Sequence, residues 1–126
     1  MQFRTPIKQA RGLGSAHHGA THWWFQRLTA IALVPLMLWF IVGVATVSSG
    51  GYLAAVAWLS APFNAALMAL VVGLVFWHGA MGIQVVLEDY VGCEALRQAL
   101  IVLVKFVAVV LGAVGIISVL RVAVGG

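Results

Sequence analysis

The apolar positions of the chain gather into three long blocks, about Leu28 to Val47, Asn64 to Leu87 and Ala99 to Leu120, separated by short polar breaks. A helix rises about 1.5 Å per residue, so roughly 20 apolar residues cross a hydrocarbon core about 30 Å thick. Each block reaches that length, and the pattern predicts an all-α integral membrane protein with three transmembrane helices, 28–47, 64–87 and 99–120. Pro35 inside the first block removes a backbone donor and predicts a kink. That block stops at Ser48-Ser49-Gly50-Gly51, a strong helix breaker. The apolar stretch from Tyr52 to Leu59 is too short to cross, and its Tyr52 and Trp58 suit the headgroup boundary, so it reads as an interfacial segment closed by Pro62.

Composition sharpens this picture. Of the 126 residues, 63% are hydrophobic and 8% charged, and no Asp, Glu, Lys or Arg occurs anywhere from Leu28 to Leu87. No water-soluble surface can be built from such a run, and the chain is too small to divide, so 1–126 reads as a single membrane-anchor domain with a basic segment at 1–27. Seven cations face three acids, and Arg4, Lys8, Arg11 and Arg27 precede the first span with no acid among them. This asymmetry points to membrane topology rather than to a nucleic-acid partner. By the positive-inside rule the N-terminus and the turn carrying Glu88, Asp89, Glu94 and Arg97 face the cytoplasm. The N-terminal segment leads straight into a full span with no cleavage pattern and reads as mature sequence. Lys105 sits far enough into the third span to snorkel back toward that turn. The single cysteine, Cys93, excludes an internal disulfide, and no nucleotide-binding loop or catalytic triad pattern occurs.

The residue with most chemical content is His78, near the middle of the second span, where an imidazole finds no water and needs a partner. At about 100° per residue, Asp89 returns to within roughly 20° of His78 and Gly82 lies about 40° away. One helix face thus carries an imidazole at mid-depth, bare backbone beside it, and a carboxylate at the water boundary. Bare backbone at Gly79 and Gly82 admits a neighbouring helix or a flat cofactor, and neutral imidazole is a usual axial ligand of haem iron. A histidine that merely bonds a neighbouring carbonyl would carry no such role. Asp89 and Tyr90 supply a proton-carrying carboxylate and a hydroxyl donor suited to a quinone, although aromatic belts and helix ends also use these residue types. Arg27 is a topological anchor by position, or a partner for anionic groups such as propionates. His18 and His22 have the spacing of a metal pair on one helix face, but no carboxylate or cysteine lies near, and with His17 they read as solvated loop residues. Trp39, Met37, Met68 and Trp77 read as packing residues, and Gln84 and Cys93 as structural.

Three segments resemble a known family: Gly12-Leu13-Gly14-Ser15, the block from His22 through Trp23-Trp24-Phe25-Gln26-Arg27-Leu28-Thr29 to Ala30, and Trp77-His78-Gly79-Ala80-Met81-Gly82 leading to Glu88-Asp89-Tyr90-Val91. Together they resemble the D-type hydrophobic membrane anchor of succinate dehydrogenase (respiratory complex II), in its bacterial form. The likeness covers nearly the whole chain, and its most specific element is a His followed by Asp-Tyr.

The resemblance implies that His78 is one axial ligand of haem b, with the second supplied by the partner, C-type anchor. It implies that Asp89 and Tyr90 border the ubiquinone site beside the iron–sulfur subunit, and that Arg27 lies near the haem propionates. It further implies a bacterial inner-membrane anchor that docks the flavoprotein and iron–sulfur subunits and oxidises no succinate by itself. No role carries over to His17, His18 or His22. Two other readings of the residues stay open: the anchor of a fumarate reductase or of a haem-free quinone-linked complex, and a small homo-oligomeric transporter using His78 and Asp89 as a proton relay.

Overall fold

A computed structural model describes the backbone of residues 17–125 and the side chains of residues 19–125. Helix α1 spans His17–Val47, a short 3-10 turn covers Ser48–Gly50, and helices α2 (Gly51–Leu59), α3 (Pro62–Tyr90) and α4 (Glu94–Gly125) follow. Three helical stretches are long and apolar enough to cross a membrane. The described part of the fold is all-α, with no cis peptide bond.

The helices run past the expected spans at both ends. The 31 residues of α1 extend about 46 Å, well beyond a hydrocarbon core of about 30 Å. Its first turns therefore reach into the interface, where Trp23 and Trp24 meet edge to face at 5.3 Å. Between α3 and α4 only residues 91–93 are non-helical, because Glu94 and Arg97 are absorbed into the first turn of α4. A glutamate is favourable there against the positive end of the helix dipole. Pro62, read as closing the interfacial segment, also opens α3, at a position where its missing N–H costs nothing. Pro35 lies within α1, which continues through it.

Helix α3 is the centre of the bundle: α1 and α4 both pack on it and not on each other. The α3–α4 contact is close because glycines remove side chains where the helices meet. A Cβ on Gly115 would stand 2.7 Å from Val72 Cγ1, and Gly112 faces Phe76. Among the described residues the buried apolar side chains are few: Ala65, Val71, Ala80, Met81 and Ile101. Most other large apolar side chains face outward, among them Leu38, Ile41, Leu103 and Phe106. Helices apolar all round, with so small an internal core, require lipid or partner helices around them.

The short helix α2 folds back on α1. Gly51 adopts φ +67°, a left-handed conformation that favours glycine, and turns the chain there. Tyr52 stays exposed, whereas Trp58, expected at the headgroup boundary, packs inward: its ring stacks on Trp39 at 5.1 Å and covers Gly43. Asn64 Nδ2 donates to Trp58 O at 2.8 Å and ties α2 to the start of α3. Gly43→Ala would drive a methyl group into the rigid indole of Trp58. Overpacking of this kind costs about 1–3 kcal/mol. The expected result is a lower thermal midpoint for the assembled protein, partly restored when Gly43→Ala is combined with Trp58→Leu. An unchanged midpoint in the single variant would show that the seam yields.

Candidate functional site

The site forms where α1 crosses the middle of α3. Thr29 is the buried polar residue among the described side chains, only 7% exposed. Its hydroxyl oxygen lies 2.9 Å from His78 Nδ1. The same hydroxyl donates within its own helix, to Phe25 O at 2.7 Å with Gln26 O at 3.1 Å. His78, predicted to need a partner at mid-depth, thus finds it on another span. Its Nε2 makes no hydrogen bond to any described residue.

Beside His78 the surface of α3 is open. A Cβ on Gly79 would have nothing within 4 Å, and one on Gly82 would meet only Gln26 Nε2, at 4.0 Å. Val75, one turn before Gly79, and Ile83, Val86 and Tyr90, toward the end of α3, continue this face as an exposed stripe. An imidazole held through Nδ1, with Nε2 unengaged and a side-chain-free surface alongside, fits an axial ligand to a flat iron macrocycle. Among the described residues no group of three or more His, Cys, Asp or Glu could hold a bare metal ion.

The other expected site residues sit at the ends of the helices. Asp89 and Tyr90 close α3; Val91 leaves the helix after its N–H donates to Leu87 O at 3.0 Å. Both side chains are exposed, Tyr90 by 84%. Asp89 lies about 16 Å along the helix from His78, so the two do not touch. Arg27 lies over the Trp23 ring, 5.3 Å from its centroid, and forms a cation–π contact rather than an ion pair among the described residues.

One expectation is corrected. His22, read as a solvated loop residue, belongs to α1, and its Nε2 is buried without a hydrogen-bond partner among the described residues. The reason is periodicity: seven residues before Thr29, it returns to the same face of α1, against α3. His17 also lies within α1, and the side chains of His17 and His18 fall outside the described residues, as do Arg4, Lys8, Arg11 and Gly12–Ser15. Gln26 Oε1 and Gln84 Oε1 are likewise buried and unpartnered among the described residues, while Gln84 Nε2 donates to Glu88 Oε1 at 2.7 Å. A cavity of about 700 Å³ opens over α3 between α1 and α4. Its lining is mostly apolar, with His22, Gln84 and Lys105 toward the α3–α4 turn and Gly73 and Ile116 at the far end. Lys105, expected to snorkel toward the turn, borders this cavity.

Sequence reasoning missed Thr29 and the buried amides. The available signal was a hydroxyl residue inside an apolar span, which in lipid must find a hydrogen-bond partner.

Residues 1–114 match the model of the succinate dehydrogenase/fumarate reductase transmembrane subunit family. A succinate dehydrogenase hydrophobic membrane anchor subunit of Rickettsia bellii is 36% identical over 107 residues, covering 85% of this chain and 86% of its own. That of Paracoccus denitrificans is 34% identical over 106 residues, covering 84% and 82%. A succinate dehydrogenase membrane anchor subunit of Reclinomonas americana is 31% identical over 94 residues, covering 72% and 78%. No solved structure matches. Three membrane-crossing helices and relatives of this kind make the chain a multi-pass protein of the bacterial inner membrane, and it belongs to the family of transmembrane subunits that anchor succinate dehydrogenase and fumarate reductase.

Proposed function

We propose that this chain is the D-type of the two anchors in a succinate:ubiquinone oxidoreductase, that it shares a haem b with the other anchor, and that it completes the quinone pocket. The observation that supports this most directly is the state of His78: Nδ1 is engaged by Thr29, Nε2 makes no bond to a described residue, and the surface at Gly79 is open. This arrangement suits iron ligation better than a proton relay, since His78 and Asp89 stand about 16 Å apart along the helix and, among the described residues, His78 bonds only Thr29, on the other span. The other three histidines lie at positions 17, 18 and 22, before the apolar core of the first span, so the second axial ligand comes from the partner anchor. The N-terminus and the 91–93 turn face the cytoplasm, where the flavoprotein and iron–sulfur subunits dock.

A bound haem b supplies a one-electron centre whose potential the surrounding protein sets. The remaining work falls to side chains of this chain. Tyr90 donates its hydroxyl hydrogen to a quinone carbonyl, and Asp89, at the water boundary, passes a proton to the reduced quinone. Arg27, already beside Trp23 at the interface, offers charge to propionates. The apolar surface of the spans excludes water from the quinone tail.

The test is to purify the native complex through a tag on this chain in mild detergent. Succinate-driven quinone reduction exceeding quinol-driven fumarate reduction, together with a b-type reduced-minus-oxidised optical signal, is the expected outcome. The reverse ratio would assign the chain to a fumarate reductase, and an intact complex without haem would withdraw the role given to His78.

A further inference from the structure

The Thr29 hydroxyl owns one hydrogen, and its 2.7 Å approach to Phe25 O uses it. A threonine bonded back to the carbonyl four residues earlier is a common helical arrangement. With its hydrogen committed there, the oxygen has only lone pairs to offer His78 Nδ1 at 2.9 Å. Nδ1 must then carry the ring proton, which leaves the lone pair on Nε2.

We propose that Thr29 is the positioning residue that fixes the tautomer and ring orientation of His78, and so sets the strength of its bond to iron; this rests on the reading of His78 as a haem ligand. Burial makes the arrangement durable. At 7% exposure Thr29 meets little solvent, so the histidine's outer hydrogen bond is intramolecular and joins the first span to the second. An acceptor on Nδ1–H makes the ligand nitrogen more basic, which favours the ferric over the ferrous state and lowers the midpoint potential. The first span therefore contributes to the electronic character of a ligand carried by the second.

The experiment compares Thr29→Val, which keeps the volume and removes the acceptor, with Thr29→Ser, which keeps the hydroxyl. Both are read in the purified complex by haem per complex, redox titration of the b-type signal, and the low-spin ferric resonance. Thr29→Val should raise the midpoint potential, shift the resonance and weaken haem retention by roughly 10- to 100-fold, the usual loss for outer partners of metal-binding histidines. Thr29→Ser should stay near the parent. If Thr29→Val does not assemble, Thr29→Ala removes the acceptor without a new branch. Redox-difference infrared spectra of the unsubstituted complex, with histidine isotope-labelled in this chain, supply a reading that needs no variant: a hydrogen-bonded Nδ1–H is expected, and a free one overturns the proposal. It is likewise overturned if Thr29→Val matches the parent in potential, resonance and haem content while His78→Ala loses the haem. If His78→Ala itself leaves the spectrum unchanged, the fault lies in the ligand assignment.

Discussion

Replacing His78 with alanine should abolish or grossly alter the b-type signal while the complex still assembles. His78 makes a single hydrogen bond among the described residues, to Thr29, and the Thr29 hydroxyl keeps its bond to Phe25 O when the imidazole is gone. No buried donor is orphaned, so the cost to the fold is that of one lost hydrogen bond and a modest void. Removing a partner that merely orients a ligand already costs about 10- to 100-fold in metal affinity, and removing the ligand itself should cost more. Haem per complex should therefore fall by at least roughly tenfold, or the haem should persist in an altered, high-spin form held by one axial ligand. Imidazole added to the solubilised variant should restore part of the low-spin spectrum by entering the void beside Gly79. A variant complex with parental haem content and spectrum would exclude His78 as a ligand.

The membrane character was the most legible property, because no soluble architecture can accommodate an uncharged run from Leu28 to Leu87. The need of His78 for a partner was legible for a related reason: at mid-depth in lipid an imidazole has to be satisfied by something. Its partner was not. Thr29 stands 49 positions away, and whether it meets His78 depends on where α1 crosses α3. Helices apolar on every side carry no stripe from which a crossing register can be read. Charged residues from Glu88 to Arg97 marked an aqueous turn, yet helix includes all four of them because solvated charges at helix ends are tolerated. His22 was misplaced for the same reason, since the helix boundary was set at the last apolar residue rather than at the last one able to turn a face toward α3.

The outward-facing surface is consistent with the proposal that the site is shared between two chains. Val75, Ile83, Val86 and Tyr90 continue the face beside His78, and the chain's own described residues leave them exposed. In the proposed assembly the partner anchor occupies this face, and a group held between the two chains would be ligated from both. Chemistry at an interface of this kind needs only half its residues in each sequence.

Tyr90→Phe should separate quinone chemistry from assembly. Tyr90 is the last residue of α3, 84% exposed, and its hydroxyl makes no hydrogen bond to a described residue. Phenylalanine keeps the ring and removes one oxygen that nothing in the described fold uses, so helix packing and haem content should match the parent. If the hydroxyl donates to a quinone carbonyl, its loss leaves an unpaired acceptor in a dry pocket, a cost of about 1–3 kcal/mol. That corresponds to a drop of roughly 5- to 150-fold in kcat/KM for quinone. Succinate oxidation measured with an artificial acceptor that draws electrons from the peripheral subunits should be unchanged, since the proposed function gives that step to those subunits. Two outcomes would count against the assignment. Full quinone reductase activity would show that the hydroxyl is a spectator of the aromatic belt, and loss of both activities together would show that Tyr90 supports docking rather than the quinone.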